Sequence, residues 1–143
     1  MEFTWVKGEL APTFEDALKV RDAVFTKEQG YAAEIDHDAE DQNAWHIVLY
    51  DDADQAAPKA MGTLRFFLNP KGEYQIGRVA ILKEYRGRKL GQLLMKEALK
   101  KCAILAESDT VILHAQTHAQ SFYEALGFHV EGEVFLEEGQ PHI

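Results

Sequence analysis

The chain has 143 residues, 46% of them apolar, and a net charge of −9. That length and apolar share suit one domain with a single core, so one domain over residues 1–143 is expected. No apolar run approaches the roughly 20 residues of a membrane span, and the start, "MEFTWVKGEL", lacks a basic region followed by an apolar block. A surface this acidic also argues against general nucleic-acid binding. A soluble cytoplasmic protein with neither a membrane nor a nucleic-acid partner is the expectation.

In chain order, "FTWVKG" alternates like a strand, and "APTFEDALKVRDAVFTKEQG" reads as a helix. Thr13 can cap that helix with Asp16 three residues on, Phe14, Leu18, Arg21 and Phe25 mark one side, and Gly30 ends it. The acidic stretch "YAAEIDHDAEDQN" has no period and reads as a surface loop whose carboxylates are solvated. "AWHIVLY" and "AMGTLRFFL" read as strands joined by the turn "DDADQAAPK". "NPKGE" breaks the chain before a strand over 74–82, followed by a helix from about 88 to 106, the strand "TVILHAQ", the helix "HAQSFYEALG" and short strands to the end. This order implies a mixed α/β sheet, antiparallel in its first half, with a parallel pair in the second.

The sole cysteine, Cys102, cannot form an internal disulfide, falls on an apolar helix face and reads as packing. No zinc spacing occurs, so no metal is expected. From Lys83 to Lys101, seven basic residues face two acidic ones, a local reversal of the overall sign. Leu90, Leu93, Leu94, Ala98, Cys102 and Leu105 form an apolar stripe, leaving Lys96, Lys100 and Lys101 on a solvated face. Arg86, Gly87, Arg88 and Lys89 instead stand at the helix start, where cations cost roughly 0.3 to 1 kcal/mol each against the dipole. Unpaired N–H groups of the first turn, flanked by Gly87 and Gly91, form an anion site that suits a pyrophosphate. There is neither a GxxxxGK[ST] loop nor a GxGxxG opening the helix, which disfavours P-loop and dinucleotide folds.

"GRVAILKEYRGRKLGQLLM" resembles the acetyl-CoA signature of the GNAT N-acetyltransferase superfamily, with Arg86 and Gly91 in place. Lys89 stands where a middle glycine is usual, a change that is harmless in a helical conformation and strained at positive φ. "AQTHAQSFYEALGF" resembles the family's later motif through Ala119, Phe122, Tyr123, Gly127 and Phe128. "RDAVFTKEQG", "EID" and the ending "EEGQPHI" resemble the ElaA/YjcF-like subgroup.

The resemblance implies an α/β (α+β) GNAT fold with a central sheet of about six to seven strands and about four helices, in which the fourth and fifth strands run parallel and splay. It implies direct acetyl transfer from acetyl-CoA to a primary amine of a small molecule. Val79, Ala80 and Ile81 would lie along the pantetheine arm, the Ile81 N–H polarising the thioester. Arg86, Gly87, Arg88, Lys89, Leu90, Gly91 and Gln92 would hold the pyrophosphate, with Phe122 and Tyr123 also at the cofactor. Tyr123 would protonate the leaving thiolate.

An amine of pKa near 10.4 is about one part in a thousand neutral at pH 7, so a base or a water chain is required. Glu28, Glu34, Asp36, Asp38, His46 and His114 are the candidates, with Glu28 and Asp36 ranked first; His46 and His114, within apolar strands, read more simply as core histidines. The readings left beside it are a non-catalytic acyl-CoA-binding module, a protein lysine or N-terminal acetyltransferase, and an RNA-directed protein that the acidity disfavours. The family's tendency to pair allows a homodimer.

Overall fold

The computed structural model describes residues 1–53, 56–137 and 140–143, with the side chains of 34, 35 and 140 also outside the description. Glu34, one of the carboxylates weighed as a base, therefore lies outside the described side chains. The chain forms two compact units, Met1–Ile112 and Leu113–Ile143.

The first unit is built on a sheet of order β1-β2-β3-β4-β5, comprising β1 (Glu2–Lys7), β2 (Trp45–Asp51), β3 (Lys59–Leu68), β4 (Tyr74–Ile81) and β5 (Val111–Leu113). The first four strands pair antiparallel, and β5 runs parallel to β4. Seven strands occur among the described residues, within the six to seven that the resemblance implies, but they divide into five and two: β6 (Phe135–Glu137) and β7 (Gln140–His142) form a separate antiparallel pair in the second unit.

Strand alternation sends successive side chains to opposite faces. On one face, helix α1 (Thr13–Arg21) and its π-helical continuation Asp22–Glu28 bury Phe14, Ala17, Val20 and Val24, with Val20 and Val24 packing on Ala80. On the other, α3 (Leu90–Leu105) buries Leu90, Leu94, Met95, Ala98 and Cys102. Leu93 and Leu105, expected on its apolar stripe, are half-buried. Burial pushes the Cys102 thiol up to about 12, as suits a packing residue. Lys101 is not simply solvated: its ammonium lies 4.4 Å from the centre of the Trp45 ring, which itself stands edge-on to Trp5.

Two local expectations change. Pro12, not Thr13, is the N-cap residue of α1 and makes no side-chain cap; Thr13 is already helical and buried. The acidic stretch is more ordered than its lack of period suggests. It contains the short helix α2 (Ala33–Asp36) and a 3₁₀ turn, Ala39–Gln42, closed by a capping box between Asp38 and Asp41.

Candidate active site

The acidic stretch is held by arginines from three elements. Arg21 of α1, 1% exposed, donates to Asp36 Oδ2 at 3.0 Å and to both Asp41 oxygens at 2.9 and 3.1 Å. Arg65 of β3 donates to Asp38 at 2.6 and 3.0 Å and to Asp41 at 2.8 Å. Arg78 of β4 reaches Asp36 Oδ1 at 3.2 Å and Asp38 Oδ2 at 3.1 Å. Among the described residues, three guanidiniums thus meet three carboxylates, and their formal charges balance, as buried charge requires. Burial raises the Asp41 carboxyl, but its bonds to Arg21 and the charges of Arg21 and Arg65 outweigh that and hold it at about 2. Asp38 is depressed too: burial raises it, but its bonds to Arg65 and the charges of Arg65 and Arg78 outweigh that.

The carboxylates of Asp36 and Asp41 are therefore buried partners, not solvated loop charges as the sequence led us to expect. Arg21, Arg65 and Asp41 carry no motif and escaped sequence reasoning. The available signal was an arginine on the apolar face of a helix and another inside the apolar strand "AMGTLRFFL". His46 is the core histidine expected of it: buried, with Nε2 3.0 Å from Asp41 O and its ring edge-on to Phe14, and burial lowers its pKa.

β4 changes register within its length. Gly77 faces Arg65, but Ala80 faces Thr63, so two β4 residues, Arg78 and Val79, oppose Leu64. The extra residue is a bulge, and Arg78 takes it at φ 52, in the left-handed region. Beyond the bulge the Leu82 N–H donates to Met61 O at 2.9 Å. Alternation then turns the peptide groups of Ala80 towards β3 and those of Val79 and Ile81 away from it. β5, three residues long, runs beside the start of β4, where the Tyr74 N–H donates to Thr110 O, so Val79–Ile81 extend past it and form an open edge among the described residues. Ile81 is also where β3 comes close: a Cβ at Gly62 would stand 2.5 Å from Ile81 Cδ1.

Directly after β4 the 3₁₀ turn Lys83–Tyr85 leads to Arg86, Gly87, Arg88 and Lys89, all exposed, and then to the first turn of α3 with Leu90, Gly91 and Gln92. Gly87 has φ 83. Lys89 has φ 59, so the position does demand the conformation that glycine supplies freely, and the lysine bears a strain of about 1 kcal/mol. The Arg88 guanidinium lies 5.5 Å from the Tyr85 ring centre. Arg86 Nε donates to Ile81 O at 3.0 Å, and its two terminal nitrogens donate to Glu28 at 2.6 Å each. This fork lowers the Glu28 pKa and raises that of Arg86. Glu28 and Val24 on one side, with Leu82 and Lys83 on the other, line a cleft of about 270 Å³. Glu28, Arg86 and Ile81 are thus connected, while Asp36 belongs to the buried cluster through Arg21 and Arg78.

In the second unit, Ala115 and Ile143 exchange backbone hydrogen bonds of 2.9 and 2.7 Å. The helix α4 (Gln120–Ala125) carries Phe122 and Tyr123. Gly127, at φ 97, turns the chain so that the Phe128 N–H donates to Tyr123 O at 3.2 Å, and Phe122 and Phe128 stand edge-on to the Tyr123 ring. Burial pushes the Tyr123 phenol up to about 12, so it is fully protonated at neutral pH. His114 is not the core histidine the sequence suggests. Its side chain is 44% exposed, and Nδ1 lies 3.2 Å from Glu137 Oε1, whose second oxygen is 3.4 Å from His142 Nε2.

Among the described residues no group of histidine, cysteine and acidic side chains is arranged to hold a metal ion, and no helix is long and apolar enough to cross a membrane. The model of the "Acetyltransferase (GNAT) domain" family matches residues 10–143, spanning both units. The chain is 37% identical over 130 residues to the uncharacterized N-acetyltransferase YjcF of Bacillus subtilis, covering 90% of this chain and 88% of that one. Its fold is similar to an acyl-CoA N-acyltransferase from Pseudomonas aeruginosa (TM-score 0.84, 30% identity, covering 99% and 96% of the two chains). It is also similar to Escherichia coli ElaA (TM-score 0.82, 31% identity, with the same coverage). A mixed sheet with a bulged fourth strand, the turn Arg86–Gly91 opening the next helix, and these relatives lead to one conclusion: the chain belongs to the GNAT family of N-acetyltransferases, in its ElaA/YjcF-like group.

Proposed function

We propose that this protein transfers the acetyl group of acetyl-CoA directly to a primary amine of a small molecule. The observation that carries the reading is the continuity of the open β4 edge at Val79–Ile81 with the turn Arg86–Gly91, joined by the Arg86 Nε bond to Ile81 O. An edge offering unpaired peptide N–H groups suits a pantetheine arm and a thioester oxygen. A helix N-terminus with Arg86, Arg88 and Lys89 around it suits a pyrophosphate.

In the reaction the amine nitrogen attacks the thioester carbon, the C–S bond breaks, the amide forms and the thiolate takes a proton. The Ile81 N–H is assigned to the developing oxyanion, and Tyr123, with Phe122 beside it, to protonation of the leaving sulfur. Glu28 and Asp36 both have arginine partners; the fork to Arg86 lowers the Glu28 pKa and makes it a poor base, and Asp36 is buried between Arg21 and Arg78. We assign Glu28 to holding Arg86 at the pyrophosphate turn and Asp36 to holding Arg78, with the amine proton leaving through water.

Isothermal titration with acetyl-CoA and CoA, followed by thiol release over a panel of small amines, peptides and protein lysines, tests this. Binding with turnover on a small amine supports it. Turnover on peptides alone moves the acceptor to protein amines, and binding without turnover on any acceptor leaves a non-catalytic acyl-CoA-binding module.

A further inference from the structure

We propose that Arg78 is a positioning residue, which sets the register of the reactive half of β4 and keeps it there by pinning the bulge to the acidic stretch. The inference rests on the acyl-transfer reading above, and concerns how the chain holds the peptide groups that reading uses.

Before the bulge the partner numbers on β3 and β4 place Gly77 opposite Arg65 and Ile76 opposite Phe66. Continued without a bulge, that ladder would set Val79 opposite Thr63 and Ala80 opposite Gly62. Every residue after Arg78 would then change face, and its peptide groups would exchange directions, because a one-residue slip inverts a strand of period two. Arg78 itself would face Leu64 on the α3 side of the sheet. A guanidinium there would stand beside the buried Leu64, on the apolar face that α3 covers.

The left-handed turn at Arg78 avoids this. It carries the side chain to the α1 side, where Nε lies 3.1 Å from Asp36 O and 3.2 Å from Asp36 Oδ1, and a terminal nitrogen 3.1 Å from Asp38 Oδ2. Those partners are themselves held by Arg21 and Arg65. Glycine would take φ 52 without strain, and the residue before it is a glycine, yet an arginine occupies the bulge. The conformation alone does not call for that side chain; the three contacts with α2 and Asp38 do. The bulge is thus fastened to a cluster that α1 and β3 hold rigid, and Val79 and Ile81 inherit its position.

The test compares Arg78→Ala, Arg78→Gly and Arg78→Lys with the wild-type protein by amide hydrogen exchange and by steady-state kinetics. In the wild type, Ala80 and Leu82 amides should be protected and Val79 and Ile81 should exchange faster. Arg78→Ala should lose that alternation. Its kcat should fall roughly 10- to 100-fold while KM for acetyl-CoA moves less than about threefold, as expected for misplaced reacting groups. Arg78→Lys should recover part of both. Arg78→Gly should resemble Arg78→Ala although its backbone is unstrained. Retention of the exchange alternation in Arg78→Ala or Arg78→Gly overturns the proposal whatever kcat does, as does a kcat loss that only follows the folded fraction by circular dichroism. A wild-type protein that neither binds acetyl-CoA nor turns over overturns the acyl-transfer reading instead, and the exchange pattern still decides what Arg78 does to the strand.

Discussion

Glu28 and Arg86, 58 residues apart in the chain, form a two-bond fork of 2.6 Å per bond, with Glu28 in the wall of the cleft that Leu82 and Lys83 also line. Arg86 is among the residues proposed for the pyrophosphate, so the Glu28 carboxylate holds a group that an incoming anion needs. Both side chains are more than a third exposed, which limits the pair to about 1 kcal/mol or less after solvent screening. Glu28→Gln should therefore tighten CoA binding by up to roughly fivefold in a titration at fixed salt. If turnover instead drops by roughly 100-fold or more while CoA affinity stays the same, Glu28 is the base.

Lys89 pays for a left-handed backbone at the turn that opens α3. Lys89→Gly removes a strain of about 1 kcal/mol but adds freedom to the unfolded chain, so the two effects largely cancel. The melting temperature should stay the same or rise by a few degrees, and CoA affinity should not fall. Lys89→Val, β-branched and unable to take positive φ without larger strain, should lower both. Equal behaviour of the two variants would mean that the conformation at this position does not matter.

Tyr123→Phe removes one hydroxyl and leaves the ring contacts with Phe122 and Phe128 available. If that hydroxyl protonates the leaving thiolate, kcat should drop roughly 100-fold or more with acetyl-CoA affinity unchanged. The wild-type alkaline limb should lie high, since the phenol is raised to about 12. Unchanged turnover would remove the residue from the chemistry.

Acid should release the buried cluster. Asp41 sits at about 2 in the folded protein against an ordinary 3.8, so its contribution is fully present above pH 3.8 and disappears as the pH falls through about 2. Asp38, also depressed, acts in the same direction. Urea midpoints should decline across that window. Asp41→Asn should be about 3 to 5 kcal/mol less stable at pH 7, because Arg21 and Arg65 each lose a charged partner, and its acid dependence should be flatter. Identical pH slopes for the two proteins would contradict the assignment.

Much of the architecture was legible because it is local. The apolar stripe from Leu90 to Cys102 follows from a period of 3.6, and the strands of the first half follow from alternation and turn residues. The order of Arg86–Gly91 and Ala119–Phe128 identifies the family from the chain alone. Even the question at Lys89 could be posed in advance, since only its φ was missing.

What the linear chain determined, then, is which segments become helices and strands, the basic turn before α3, and the likeness that makes this a GNAT domain. The tertiary structure alone decided that Arg21, Arg65 and Arg78 meet Asp36, Asp38 and Asp41, that β4 slips by one residue, and that Glu28 holds Arg86. These partners are 15 to 58 residues apart. No spacing rule joins such residues, because packing of α1 and the acidic stretch against the sheet brings them together. Once buried, a guanidinium must find a carboxylate, and the fold determines which one.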